Sequence, residues 1–476
     1  MRLFWFYLLA CIVSFNTQAQ SIKYQKSFQS ALLSARQSHK LIFVNIEVLG
    51  MTSNRPPNLP ALKYGIEDKA VVNLYNNNFI NIKAFSSDSN YIAFIKKYSL
   101  QINAYPAYFF LDEQGNLLYK GIAMMSTQPD FYLKMAENAL KTARSDRTIS
   151  NYESLRQQGK LTTAQFKDYI SLKQELGLYN NAQLIDEYLN NLPVKAFDDY
   201  QEVLFILKAG PLAFGKAYNF AYSNRKVADS VYKHEPVEIR KAINNRIIVN
   251  TRNEAIRTKN AVLAQQVSNF IRNTWYTNYN QGSKAASDEL IYYYYAVKDT
   301  ANYYRQASFH YDNYYMRLSA DSIQKLKQQA LDNMKKANAE RIKQIHPNAV
   351  ISDAKIVRTT PTSGKITQTI TAVSSGGTSD VATVLNNAAY NFYVLGTRNP
   401  DHLTKAMLWS KRSIDLSPDV YAFYDTLAHI LYRLGFYDEA ISRQKKAVEL
   451  AAHSPTASNQ VSNLKKELEK IRDHKL

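Results

Sequence analysis

The sequence predicts an α/β domain, a mixed sheet flanked by helices, followed by an all-α region of helical repeats. Three observations carry that reading. Residues 21–143 alternate helix-type and strand-type hydrophobic periods in the order α-β-α-β-α-β-β-α, which requires a central mixed sheet with helices around it. From about residue 148 to 345 one helical segment follows another. A Gly-x-Tyr-x-x-Ala signature joins apolar helical segments twice, at Gly177, Tyr179 and Ala182 and again at Gly435, Tyr437 and Ala440. At 476 residues the chain is too long for one core, so roughly two to four domains are expected.

The first segment reads as a targeting signal. Arg2 is followed by the apolar run LFWFYLLACIV at 3–13, and Thr17-Gln18-Ala19 offers small residues before a cut after Ala19. That run is too short to span a bilayer, and no later run is long enough. The expected mature chain is exported, periplasmic in the first instance, with outer-membrane association or secretion left open. Leu8-Leu9-Ala10-Cys11 resembles a lipoprotein box, but the apolar stretch before it is very short and a conventional site follows, so lipidation is not expected. Cys11 is the only cysteine and would leave with residues 1–19. That excludes a disulfide framework and thiol chemistry in the mature chain. The 59 Lys+Arg outweigh 40 Asp+Glu by +19. Export argues against a nucleic-acid partner. Acidic glycans, lipid head groups or acidic proteins remain, although the basic residues are spread along solvated faces without a dense block.

The elements follow in order. Residues 24–38 carry helical spacing of Phe28, Leu32 and Ala35, and LIFVNIEV is a β-type run. A polar, Pro-rich loop follows, then a helix over 66–77, an alternating strand FINIKAF and a helix over 89–99. INAYPAYFFLDEQGNLLYKGIA reads as strand, turn, strand, with Asp112 to Asn116 as the hairpin signal. A helix over 127–143 closes the domain.

These segments, at 20–144, resemble the thioredoxin fold. FVNIEV sits where that family's central strand enters its active-site loop, and AYPAYFFLDEQGNLL is similar to its cis-proline, strand, turn and strand. The resemblance puts Met51 and Asn54 where the two cysteines would lie, to within a residue or two, Pro106 on the cis-proline, and Asn45 where many members hold a buried acid. A redox reading needs an attacking and a resolving thiol, and neither exists. Peptide recognition by strand addition survives such a loss; Gly50, Tyr105 and Pro106 would form its groove. Pro106 retained purely for the chain path is the structural alternative.

The helical region 145–345 is expected to hold degenerate repeats, with Thr162-Thr163 capping one helix and Pro193 and Pro236 in first turns. Residues 346–380 are rich in Ser, Thr and Gly and read as a linker, within which KITQTITAV alternates like an edge strand. Residues 381–476 resemble tetratricopeptide repeats with a capping helix over 456–473. Ala406 and Ala440 lie 34 residues apart at the same repeat position. Tyr424, Leu427, Ala428, Gly435, Tyr437, Ala440 and Ala447 match the packing positions in order, small Gly and Ala permitting close approach and Tyr filling the gap. Two repeats are few for independence, so packing onto the preceding helices is expected.

No other chemistry stands out. None of the eight histidines pairs at metal-ligand spacing, and there is no phosphate loop or nucleophile elbow, so no cofactor or metal is expected. Adjacent acids such as Asp198-Asp199 point to different azimuths on a helix. Tyr292 to Tyr295 cover every face of a helix, so some must be buried, while others are free for glycan or peptide stacking. Asn386, Asn387, Tyr390 and Asn391 are candidates on the concave face of the last repeats. The expectation is a non-enzymatic binding or scaffold protein of the bacterial envelope, with other envelope proteins or peptides as partners. A thioredoxin-family oxidoreductase or foldase helper, and an envelope glycan binder, are the alternatives.

Overall fold

Strand β2 (Leu41–Glu47) is buried along nearly its whole length, which is what a central strand covered on both faces requires. The computed structural model describes residues 21–48, 63–86, 88–98, 100, 102, 104–178, 180–345, 380–454 and 457–476. The expected signal segment with Cys11, most of the linker, and the positions Gly50, Met51, Asn54 and Tyr179 lie outside these residues. The chain divides into two units between Arg257 and Thr258.

The first unit contains a five-stranded mixed sheet of order β1-β3-β2-β4-β5. β1 (Tyr24–Gln25) and β2 pair parallel to β3 (Phe79–Phe85). β4 (Ala107–Leu111) pairs antiparallel to β2, and β5 (Leu117–Lys120) antiparallel to β4. Helices α1 (Phe28–Ser38) and α3 (Ser89–Tyr98) contact each other, and α2 (Lys69–Asn78) contacts α4 (Pro129–Ala143). Alternation along β4 divides the core accordingly. Tyr108 and Phe110 meet Phe43, Tyr75, Phe79 and Tyr132, while Phe109 points the other way and packs on Phe94.

The sequence placed a helix from residue 24; the structure starts α1 at Phe28. Ser27 and Ser30 form a reciprocal capping box, and Tyr24 and Gln25 pair with Asn81 and Ile82 as β1. A two-residue strand is too short to show a period. The hairpin turn closes on Asp112, whose carboxylate accepts from the Asn116 amide at 2.6 Å, with Gly115 at φ +87°.

Seven helices follow in this unit: α5 (Ile149–Gln157), α6 (Thr163–Glu175), α7 (Ala182–Leu189), α8 (Tyr200–Ala209), α9 (Lys216–Ala221), α10 (Arg225–His234) and α11 (Val237–Thr258), the last ending at the boundary. Thr162 caps α6 through a capping box with Gln165. A buried-phenol motif recurs between these helices. Tyr152 donates to Asp168, which Arg147 holds at 3.0 Å. Tyr169 donates to Glu153, held by Arg156. Tyr188 donates to Glu202 at 2.5 Å, held by Lys167 at 2.7 Å. Burial, and then the carboxylate, pushes the Tyr152 hydroxyl up to about 12, so the phenol stays the donor.

The second unit is helical: α12 (Ala261–Thr274), α13 (Tyr279–Val297), α14 (Thr300–Tyr311), a π-helical turn (Asp312–Met316), α15 (Ala320–Ile345), α16 (Val381–Val394), α17 (Pro400–Leu416), α18 (Tyr421–Arg433), α19 (Tyr437–Ala452) and α20 (Val461–Arg472). Trp409 is fully buried against Phe392 and Tyr311. Its indole N–H donates 2.8 Å to Asp312 on the π turn, which also receives Lys405. Tyr303 and Tyr304 of α14 pack on Phe392 of α16, so the last repeats rest on the helices before them. In the tyrosine run Tyr293 is buried, while Tyr292 and Tyr295 are exposed.

The glycine of the repeat signature acts differently from expectation. A Cβ built at Gly435 meets nothing within 4 Å, so close packing does not require it. Its φ of +88° does: Gly435 ends α18 in the left-handed region, and the Phe436 amide reaches back to the Leu431 carbonyl at 2.9 Å. Gly177 has φ +84° with the matching bond from Leu178 to Lys173 at 2.7 Å. Gly435→Ala is expected to cost about 1–2 kcal/mol in urea unfolding, from backbone strain alone. Gly435→Asn should cost less, because Asn tolerates this region; equal losses would mean that side-chain space decides.

Candidate functional site

Ligand sites in sheets with parallel strands lie outside the carboxyl ends of those strands. Here β2 ends at Glu47 and β3 at Phe85. The Tyr105–Pro106 peptide, immediately before β4, is cis. The ladder pairs Ile46 with Ala107, which puts Pro106 one step further on, level with Glu47.

Asn45 stands under this end of the sheet, 2% exposed. It pairs with Lys83 on one side and Tyr108 on the other. Its amide donates 2.9 Å to Glu47, and Glu47 holds Lys83 at 2.9 Å. Asn45 Oδ1 has no hydrogen-bond partner. Burial first, then Tyr132 and the Glu47 carboxylate, raises the Tyr108 hydroxyl well above its ordinary value. At the rim, the Tyr91 and Tyr105 hydroxyls lie 3.0 Å apart, and burial with that contact pushes Tyr105 up to about 12. Tyr105 is half-buried and Pro106 buried.

Amide, ion pair and protonated phenols provide hydrogen bonding and no nucleophile. Among the described residues no three His, Cys, Asp or Glu side chains converge as metal ligands. The structure brings Asn45, Tyr105 and Pro106 to one end of the sheet; Gly50, Met51 and Asn54 are outside the described residues. Sequence reasoning missed Glu47, Lys83 and Tyr91. The signal for Glu47 was present, since it follows Asn45 by two and so shares its face of β2. Lys83 needed the β2–β3 register.

The repeat positions fall elsewhere. Leu427, Ala428, Ala440, Ala447 and Tyr424 are buried between α17, α18, α19 and α20, and Ala406 is buried in the cluster that α17 forms with α14 and α16. Tyr437 is 42% exposed, and its ring lies edge-on to Tyr432 of α18 and to His474. Asn387 and Tyr390 are exposed, Asn391 is half-buried, and Asn386 is buried with Oδ1 unpaired. Among the described residues no helix is long and apolar enough to cross a membrane.

No protein-family model matches the chain, and no curated protein matches it. Among solved structures, a chain of the assembly described as Naa15/Naa10 bound to HypK-THB is similar at 14% identity and a TM-score of 0.18. The match covers 73% of this chain and 54% of that one, so this chain spans about half its length. At that score the likeness supports no argument about function.

An unpaired, buried carbonyl is costly, whereas an apolar replacement of similar volume removes the cost. Asn45→Leu is therefore expected to leave the melting temperature unchanged or raised. A loss above about 2 kcal/mol would mean that the Asn45 amide bond to Glu47 stabilises more than the orphaned oxygen destabilises.

Proposed function

We propose that the chain is a redox-inactive, thioredoxin-like protein with tetratricopeptide-like repeats, exported to the bacterial envelope, where it binds extended peptide segments as a scaffold component. The observation that carries this is the sheet of order β1-β3-β2-β4-β5, whose register brings Asn45, Tyr105 and Pro106 to one end beside Glu47, with Cys11 the only cysteine. The thioredoxin resemblance expects a cis-proline at that place. What is left of such a site is a backbone ledge for strand addition, bordered by Tyr91 and Tyr105. Buried Asn45 in place of an acid fits the same loss, because proton relay has no thiol to serve. Fold analogy supplies the class of function and the groove supplies its mechanism.

The mature chain is expected to show no insulin reduction above buffer. A photoreactive residue replacing Tyr105 should crosslink envelope polypeptides in cells, and the same residue at exposed Tyr390 should give a different pattern. Turnover of insulin, or crosslinking no greater than at an arbitrary surface position, would overturn the proposal.

One observation favours a second reading, an envelope glycan binder. Trp275, Tyr276 and Tyr279 are exposed together, with Tyr276 at 89%, and aromatic faces of this kind stack on sugar rings. Retention on purified cell-wall material at low salt, lost on Tyr276→Ala with Tyr279→Ala, is the outcome this reading expects. Absence of retention at low salt removes it.

A further inference from the structure

Away from the strand ends, helices α5, α6 and α7 and the last turn of α11 enclose a cavity of about 290 Å³. Its charged lining is Glu153, Arg156, Lys173, Glu254 and Arg257, with the Tyr169 ring between them. Most of these groups are already committed. Arg156 spends Nε and Nη2 on Glu187 at 2.7 and 2.6 Å and Nη1 on Glu153 at 2.9 Å. Arg257 lies two-pronged on Glu254 at 2.9 and 2.5 Å. Glu153 also accepts from the Tyr169 hydroxyl at 3.1 Å.

Lys173 is the exception. Its ammonium has three N–H donors. Its hydrogen-bond contact is to the Asn180 carbonyl at a long 3.4 Å, and it lies 5.6 Å from the centre of the Tyr169 ring. Burial lowers its pKa to about 8, with Glu153 opposing and Arg156 reinforcing the shift. This is a half-buried cation facing a polar cavity with donors to spare. Arg156 is met by Glu187 and Glu153 and Arg257 by Glu254, which leaves Lys173 as the one cation of the lining whose hydrogen-bond contact is not a carboxylate. That balance matches a monoanion. A dianion such as phosphate would meet Glu153 and Glu254 uncompensated. Ala182 and Leu184 supply an apolar wall.

We propose that this cavity is a binding site for a small organic carboxylate, with Lys173 making the primary charge contact and the Arg156 and Arg257 pairs holding the walls. The shared chemistry is one carboxylate on a short apolar body, from a free acid or from the end of a peptide. The site lies on other helices than the strand-end groove and does not depend on the function proposed for it.

The test is calorimetric titration of the whole mature chain with butyrate and, separately, with inorganic phosphate. Butyrate is expected to bind and phosphate to bind no tighter. Lys173→Met should weaken butyrate about tenfold or more, the size of a lost charge-assisted hydrogen bond. Lys173→Arg, which keeps the charge, should retain most of the affinity, and thermal melts of both variants establish folding. With a free-protein pKa of about 8, the protonated fraction of Lys173 falls about tenfold from pH 7 to pH 9, and butyrate affinity should fall with it. Arg156 and Arg257, whose pKa values their hydrogen-bonded carboxylates Glu187 and Glu254 raise, stay charged in that window. A short peptide with a free C-terminus and its C-terminal amide separate the two sources: tighter binding of the free peptide than of butyrate assigns a chain end, and weaker binding assigns a free acid. No butyrate binding at millimolar concentration, equal binding by folded Lys173→Met, or a free peptide that outbinds butyrate while its amide binds equally well overturns the proposal.

Discussion

A buried phenol or indole without an acceptor is costly, and this chain of 35 Tyr buries several together with one, the Tyr303 and Tyr304 hydroxyls being exceptions. The recurring answer is a ring hydroxyl on a carboxylate, with the carboxylate held in turn by a cation. Tyr152–Asp168–Arg147, Tyr169–Glu153–Arg156 and Tyr188–Glu202–Lys167 all follow it. Trp409 uses the same device in the second unit, with Asp312 as the acid and Lys405 as the cation. Each triad ties two or three helices together. It allows aromatic packing between helices without stranding the hydroxyl or indole N–H.

That constraint also explains where the chain departs from it. Asn45 is buried with Oδ1 unpaired and is joined through its amide to a Glu47–Lys83 pair at the strand ends. Lys173 is half-buried beside a committed acid, with one long contact to the Asn180 carbonyl. Native cores rarely leave such groups unmatched, and both border places where a partner could complete them. The first is the groove proposed for peptide recognition, and the second is the cavity proposed for a carboxylate.

Much of the architecture was legible. The β-type run of β2, the alternation in β3, the strand-turn-strand pattern about Asp112 to Asn116 and the Thr162 cap are local patterns with local causes, and they stand at or near the expected places. Two readings failed for identifiable reasons. β1 was hidden because two residues carry no period, and only Asn81 and Ile82 reveal them as a strand. Gly435 was read as a packing residue because spacing does not disclose φ; the sign of one dihedral angle, not the space around Cβ, requires it.

The sequence by itself determined the class of the fold, the repeat spacing of Ala406 and Ala440, and the lack of a cysteine after Cys11, because periodicity and inventory need no partner across space. Tertiary structure alone decided that Glu47 and Lys83 flank Asn45, that Asp312 serves Trp409 ninety-seven residues away, and that Lys173 faces a cavity with Arg257. Those contacts depend on strand register and helix packing. Such distances close only when the chain has folded, and no local pattern encodes them.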